Sequence, residues 1–478
     1  MDIMRYDLLV IGSGPAGQKA AIAAAKLGKR VAVIDRGNMV GGVCVHTGTV
    51  PSKTLREAIV YLSGLRQRAF YGQDYAVKDA ITVADLSTRV GLVVRRETEV
   101  IRAQLKRNRV ELVAGTAHFT DPHTLQVDTE HGPMSLYGDY ILIGCGTRPA
   151  RDPNIIFDGK LVFDADQICK MDRLPREMIV VGAGVIGLEY ASMYAALNTE
   201  VTIIDQRPTL LEFVDREISD ALCYHMRRSG ATFRLGEKVA RIDSDGTETV
   251  TAVLESGKKV HGDALLYAVG RQTNADLLQL ENAGLAADTR GRVCVDTHYR
   301  TQVPHIYAAG DIVGFPSLAA SSMEQGRIAS CHMFGARDTL APEYFPYGIY
   351  TIPEMSMIGR TEQQLTDAKI PYEFGIAKYE EIARGQIAGD QTGLLKLLFD
   401  PETRKLLGVH AIGEQATEII HIGQAVLSLD ATIEYFRDAV FNYPTFAEAY
   451  KVAALDGLNK LARSRPAAAP ASPAPQLT

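Results

Sequence analysis

The sequence lacks every cysteine pairing that would dictate a disulfide scaffold or a metal knuckle. Its six cysteines, Cys44, Cys145, Cys169, Cys223, Cys294 and Cys331, stand singly, none at CxxC or metal-ligand spacing. Six free thiols are expected, those other than Cys44 in ordinary core packing. The eleven histidines include no HExxH and no paired spacing with carboxylates, so no catalytic metal is expected. A GxSxG elbow, which would point to a serine hydrolase, is absent. No stretch reaches the roughly 18 uninterrupted apolar residues of a membrane-spanning helix. The first residues also lack the basic start, apolar centre and small-residue cleavage site of a signal peptide. A soluble, cytoplasmic protein with no membrane partner is the expectation. Charge is balanced too: 51 basic residues face 57 acidic ones, a net charge of -6, which leaves no polybasic surface for nucleic acid. What remains is small-molecule chemistry.

What the chain does contain is a repeated α/β unit. At 478 residues, 46% hydrophobic and 23% charged, it has the length for about three globular domains. Residues 6–12 (YDLLVIG) read as a buried strand, 15–27 as an alanine-rich helix and 29–35 (KRVAVID) as a second strand. The same order returns at 178–182 (MIVVG), 185–197 and 200–205 (EVTIID). Gly12, Gly14, Gly17 and Asp35 correspond to Gly182, Gly184, Gly187 and Asp205, each displaced by 170 residues. Two apolar strands ending in glycine, 140–147 (YILIGCGT) and 264–271 (ALLYAVGR), look like matching exits from the two units. Beyond Tyr347 the texture shifts to short strands such as 394–399 and 407–412 mixed with helices, a third, α+β region. From Arg463 the proline- and alanine-rich end predicts a disordered tail.

The first glycine motif, G-S-G-P-A-G, follows a strand, opens a helix and has an acid 18 residues beyond its last glycine. In that setting Gly12 permits the tight turn, Gly14 lets the backbone approach a pyrophosphate, and the helix N-terminus adds partial positive charge. Asp35 would hold the adenosine ribose hydroxyls. G-A-G-V-I-G at 182–187 with Asp205 repeats the logic for a second dinucleotide. Two dinucleotides imply electron traffic between them, and a resident FAD served by an exchanging NAD or NADP is the chemically sensible pair. Asp205 suits a ribose 2′-hydroxyl and repels a 2′-phosphate. Arg207, two residues on, either offsets that repulsion or is a solvated loop residue.

Together with G-G-V-C-V-H-T-G-T-V-P-S-K at 41–53, IYAAGD at 306–311 and FNYPTFAEAY at 441–450, these motifs resemble a known family. It is that of the class-I pyridine nucleotide-disulfide oxidoreductases, the disulfide reductases related to lipoamide dehydrogenase, and the resemblance spans essentially the whole ordered chain. It implies FAD contacts from Gly12, Gly14, Gly17, Asp35, Arg36, Gly41, Gly42, Cys44, Lys53, Gly146 and Asp311, the last toward the ribityl chain. It implies nicotinamide-nucleotide contacts from Gly182, Gly184, Gly187, Asp205, Arg207 and Gly270. Lys53 and Glu189, the catalytic candidates, would form an ion pair beside the flavin N5. A homo-oligomer, at least a dimer, is implied as well, because the stretch matching 441–450 typically approaches the flavin of the other subunit.

The departures from the family pattern carry the functional reading. Its disulfide reductases need two cysteines separated by four residues. Here Cys44 is present but Thr49 takes the second position, and a hydroxyl cannot take part in thiol-disulfide exchange. The family's histidine before Pro-Thr is Tyr443, although Glu448, which would orient that histidine, remains. No second dithiol stands near the C-terminus. A hydride entering on the nicotinamide side must leave there, which gives reversible NADPH to NAD+ transfer by a ping-pong path through FAD. The stretches GVCVHTGTVPSKTLREA, YPTFAEAYKVAAL and GIYTIPEMSMIG further resemble the soluble, Si-specific, FAD-containing NAD(P)+ transhydrogenases, where threonine likewise replaces the cysteine. The alternatives are a diaphorase passing electrons to a quinone or oxygen, and a non-catalytic flavin redox sensor. Cys44 is either an inert relic or a thiol able to form a sulfenic acid.

The expected fold is α/β: two Rossmann-like dinucleotide-binding domains and a C-terminal α+β dimerisation domain. Residues 1–150 and 272–345 would bind FAD, 151–271 NAD(P), and 346–462 would form the interface domain, with 463–478 as the tail.

Overall fold

The apolar run that opens the chain forms strand β1 (Met4–Ile11) in a computed structural model that describes residues 3–72, 74–336 and 343–464. Leu9 and Ile11 pack on one face of a sheet, Leu8 and Val10 on the other. A strand covered on both sides has no solvent face, so it reads as continuous apolar residues rather than as an alternation. β2 (Val31–Asp35) lies parallel to β1, with Leu8 beside Val31 and Ile11 beside Ile34. β3 (Glu111–Ala114), β4 (Thr116–Asp121), β5 (Thr124–Thr129) and β6 (Gly132–Ile143) complete the order β3-β2-β1-β6-β5-β4. The strand expected at 140–147 is thus the end of a longer one that stops at Ile143.

The chain leaves through β7 (Thr147–Pro149) and builds a second sheet from β8 (Val162–Asp164), β9 (Glu177–Val181), β10 (Glu200–Asp205) and β11 (Thr232–Leu235). An antiparallel meander follows, β12 (Val239–Ser244), β13 (Val250–Leu254) and β14 (Lys259–Gly262). β15 (Ala264–Tyr267) then inserts beside β9 to give the parallel order β11-β10-β9-β15-β8. β16 (Arg271–Thr273) runs antiparallel to β7 with Thr273 opposite Thr147, so the two expected exits lie side by side. β17 (Ile306–Ala308) returns to the first sheet, parallel to β6.

Each glycine motif turns a strand into a helix. Helix Pro15–Lys26 starts on a proline, whose missing N–H has no helical partner to lose at that position. Its small residues are what let helix Ala319–Met333 approach: at Gly326 a Cβ would lie 2.1 Å from the Ala16 carbonyl oxygen. In helix Val185–Ala195 every residue from Gly187 onward is buried.

The chain folds into two compact units, Met1–Leu211 with Met226–Phe345, and Glu212–His225 with Pro346–Thr478. The second unit carries an antiparallel sheet of β18 (Tyr347–Ile349), β19 (Met355–Gly359), β20 (Glu373–Lys378), β21 (Leu394–Phe399) and β22 (Leu406–Ile412), in the order β18-β19-β22-β21-β20. On β21, Lys396 is fully buried and bonds Asp215 at 3.0 Å, Glu217 at 2.9 Å and Glu362. These three carboxylates crowd together as metal ligands do, but the lysine supplies the cation. Helix Glu448–Ser464 includes Arg463, which the sequence assigned to the tail; residues 465–478 lie outside the described residues. Among the described residues no helix is long and apolar enough to cross a membrane. The six cysteines are free thiols, but Cys294 is exposed rather than packed. It sits in an extended segment whose preceding residue, Val293, takes the buried side.

Candidate functional site

Gly12 sits just after β1 with φ of 100°, and a Cβ there would lie 2.3 Å from the Gly144 carbonyl oxygen. At Gly17 a Cβ would lie 1.9 Å from the Gly12 carbonyl oxygen, whereas at Gly14 it would meet nothing within 4 Å. Strand-to-helix packing therefore dictates the outer glycines, and the middle one faces open space. That space belongs to a cleft whose empty volume is about 1220 Å³, its open mouth included. Of the expected residues, Gly12, Gly14, Asp35, Arg36, Gly42, Cys44, Gly146 and Asp311 line it. Gly17, Gly41 and Lys53 do not. Gly41 instead gives its N–H to Ser13 Oγ at 2.9 Å, and a Cβ on it would meet Val45.

Ser13, which occupies a variable position of the glycine motif, orients the acid. Its N–H and hydroxyl donate to Asp35 Oδ2 at 2.6 and 2.5 Å, and the Arg36 N–H donates to Oδ1 at 2.7 Å. Asp311 is held by a second chain of bonds that the sequence did not disclose. Arg271 Nε donates to Thr147 Oγ1 at 2.8 Å, and that hydroxyl donates to Asp311 Oδ2 at 3.1 Å. Arg271 also reaches the Thr147 carbonyl at 3.0 Å and Asp166 at 3.2 Å. Both Arg271 and Thr147 come from the paired exits β16 and β7, so the exits fix the cleft's acid as well as the crossover.

Lys53 lies on helix Thr49–Leu62 and Glu189 on helix Val185–Ala195; Nζ donates to Oε2 at 2.6 Å. The Glu189 side chain is 5% exposed and that of Lys53 27%. Next to Glu189, the Tyr190 hydroxyl and the Cys169 thiol are 2.9 Å apart, and burial raises the pKa of both. Cys145, another unanticipated lining residue of the cleft, is pushed up to about 12 by burial.

The second glycine motif repeats the first. Gly182 has φ of 105° and a Cβ would lie 2.5 Å from the Ala268 carbonyl oxygen; at Gly187 it would lie 1.9 Å from that of Gly182; at Gly184 it would meet nothing within 4 Å. Gly270, at φ of 138°, stands between β15 and β16. Asp205, the last residue of β10, accepts the Ala183 N–H at 2.7 Å and three bonds from Arg207: backbone N–H at 2.8 Å, Nε at 3.0 Å and Nη2 at 2.7 Å. Burial acts to raise the Asp205 carboxyl, but the bonds from Arg207 and Ala183 outweigh it and hold the group below the usual carboxylate range.

The profile of the pyridine nucleotide-disulphide oxidoreductase family matches residues 6–326, and that of its dimerisation domain residues 345–454. The chain belongs to the pyridine nucleotide-disulphide oxidoreductases. Among its relatives is the soluble pyridine nucleotide transhydrogenase of Mycobacterium bovis, 55% identical over 95% of this chain and 98% of the relative. The protein of that name from Enterobacter sp. is 45% identical over the same shares. Among solved structures, LpdA from Mycobacterium tuberculosis superposes with a TM-score of 0.87 at 25% identity, and the HOCl-induced flavoprotein disulfide reductase RclA from Escherichia coli with 0.86 at 27%. Each covers 95% of this chain and 99% of its own.

Cys44 and Thr49, the two positions that the sequence reading compares with the family's redox cysteines, both line the cleft. Burial is the largest influence on Cys44 and raises its pKa, so the sulfur stays protonated at neutral pH. That favours the relic over the reactive thiol. In the second unit, Tyr443 is 72% exposed, and Glu448 Oε2 is buried without a hydrogen-bond partner among the described residues.

Proposed function

We propose that this chain is an NAD(P)+ transhydrogenase with FAD as its cofactor, moving a hydride reversibly from NADPH to NAD+. The observation that carries the reading is Thr49 against Cys44. The chain keeps two dinucleotide cradles and the Lys53–Glu189 pair, yet offers no disulfide to receive electrons. The relatives named soluble pyridine nucleotide transhydrogenase support the same reaction.

The first cleft fits FAD. Open space over Gly14 admits a pyrophosphate at the N-terminus of helix Pro15–Lys26, where aligned N–H groups favour negative charge. Asp35 has accepted three hydrogen bonds of the roughly four a carboxylate can take, which leaves Oδ1 able to receive a ribose hydroxyl. Bound FAD supplies a group that takes a hydride from one nicotinamide and returns it to another. Gly12, Gly14, Asp35, Arg36, Gly42, Cys44, Gly146 and Asp311 hold it in this reading, with Gly17 and Gly41 shaping the turns. Gly182, Gly184, Gly187, Asp205, Arg207 and Gly270 hold the nicotinamide nucleotide. Glu189 holds and aims the Lys53 ammonium, so that a fixed positive charge stands where negative charge develops.

NADPH and NAD+ occupy the one nucleotide cradle in turn, which makes the kinetics ping-pong, and the transfer in this reading is Si-specific. The chain divides into an FAD domain (1–150 and 272–345), an NAD(P) domain (151–271) and an interface domain (346–462) that builds a homodimer. Six unpaired thiols suit the reducing cytoplasm. Initial rates with NADPH and a thionicotinamide NAD+ analogue varied together test the reading. Parallel double-reciprocal lines, with no turnover of lipoamide or glutathione disulfide, are expected; intersecting lines or disulfide turnover refute it.

A further inference from the structure

Helix Val185–Ala195 carries Glu189 and is buried from Gly187 onward, so its rotational setting decides where that carboxylate points. Successive residues stand about 100° apart around a helix, and residues four apart share a face. Tyr190 and Tyr194 are such a pair, and both hydroxyls end on sulfur atoms of one segment. The Tyr190 hydroxyl lies 2.9 Å from the Cys169 thiol, and the Tyr194 hydroxyl donates to Met171 Sδ at 3.8 Å. The turn that leads into this segment is itself anchored. Asp164, the last residue of β8, accepts the N–H groups of Asp166 and Gln167 at 2.9 Å each and two bonds from Arg151 at 2.9 and 2.6 Å. Asp166 bonds Arg271, which holds Thr147 and through it Asp311. Cys169 is thus presented from a fixed turn, and Tyr190, 2% exposed, has no other hydrogen-bond partner among the described residues.

We infer that Cys169 and Tyr190 are positioning residues for Lys53 and Glu189: the contact between them fixes the rotation of the helix, and with it the carboxylate that aims the lysine. The inference rests on the reading of Lys53 as the cation beside the flavin. Burial raises both the phenol and the thiol, so the two stay neutral and add no charge of their own. The Glu189 charge acts on Tyr190 and the Lys53 charge on Cys169, so the contact stands within electrostatic reach of the ion pair. Without the contact the helix keeps its fold, but Glu189 is free to turn and the ammonium loses its aim. A cation held beside a bound flavin favours its reduced form, so that loss shows as a lower flavin potential.

Anaerobic equilibration of the FAD-loaded protein with a reference dye of known potential tests this without nucleotide or turnover. Tyr190→Phe and Cys169→Val should each shift the equilibrium toward oxidised flavin by ~3–10-fold, the worth of one buried hydrogen bond, with FAD content unchanged. The double variant should be no worse than the more affected single, because both remove one contact. Cys169→Ser, which keeps a hydroxyl partner for Tyr190, should restore the unaltered value. A purely structural contact would lower the unfolding temperature and leave the dye equilibrium where it was. That result, or shifts that add in the double variant, overturns the positioning role. Lys53→Met separates this from the underlying reading. If K53M leaves the equilibrium unmoved, Lys53 does not stand beside the flavin and that reading falls; if K53M shifts it while Y190F and C169V do not, the reading stands and the positioning role falls.

Discussion

Lys53 Nζ donates to Glu189 Oε2 at 2.6 Å although 136 residues separate them in the chain. The contact joins a helix that opens at Thr49, a lining residue of the cleft, to the helix that follows the second glycine motif, so it ties the cleft to that motif at the level of single side chains. A nearly buried carboxylate is costly unless it is paired, and here the partner is the Lys53 ammonium. Glu189→Gln should slow reduction of the bound flavin by NADPH ~100–1000-fold, the range for removing one preorganised electrostatic contact. FAD content, read from the absorbance of the purified protein, should not change.

The glycines of the first motif should divide by what their Cβ meets. Gly17→Ala drives a methyl to 1.9 Å from the Gly12 carbonyl oxygen, so strand and helix must part and the protein should accumulate poorly and without FAD. Gly14→Ala meets no protein atom, so it should fold normally, with its loss confined to FAD affinity. Thermal unfolding with and without added FAD separates the two.

Cys44 and Thr49 both line the cleft, so Thr49→Cys should give a thiol pair able to oxidise to a disulfide. Counting free thiols before and after air oxidation checks this. Cys44→Ser should keep most of the transhydrogenation rate, because the thiol, raised by burial, is protonated at working pH. For the same reason, alkylation of Cys44 should be slow near neutrality and rise only above about pH 9.

Thr147→Val removes the hydroxyl that passes the hold of Arg271 on to Asp311. The expected result is FAD dissociating roughly 10-fold more readily, the worth of one or two hydrogen bonds, measured by fluorescence of released flavin on dilution. Arg271→Met should match it or exceed it, since the arginine also bonds Asp166.

In the second unit, burial acts to raise the Asp215 carboxyl, but neighbouring positive charge, that of Lys396 included, outweighs it and the group is lowered. A lowered carboxylate stabilises the fold fully above its unfolded value of about pH 4, and that stability is lost as pH falls through the lower folded value. Asp215→Asn should therefore cost about 1.5–3 kcal/mol near neutral pH, the worth of a charged hydrogen bond, because Glu217 and Glu362 still pair Lys396. Its stability should also fall less steeply in acid than that of the unaltered protein. Urea unfolding across that range gives both slopes.

The glycine motifs, their helices and the flanking buried strands were legible because local pattern specifies them: apolar runs, a proline at a helix start and turns that only glycine fits. The pairing of β7 with β16 was not, since nothing local marks two short segments 124 residues apart as neighbours. Ser13 was hidden as a variable position inside its own motif, and Arg271 as the residue after a glycine that drew the attention. Lys53 and Glu189 entered through the family resemblance alone; their distance in sequence gives no periodic signal. Cys294 shows the opposite limit, a residue read as core whose side chain falls on the open side of an extended segment.

The most direct test of the account is anaerobic rapid mixing of the FAD-loaded protein with NADPH, followed by a spectrally distinct NAD+ analogue. Rapid flavin bleaching, then rapid return of its absorbance with stoichiometric reduction of the analogue, is the result the account predicts. Bleaching that NAD+ cannot reverse would contradict it, because the hydride would then have to leave toward some other acceptor.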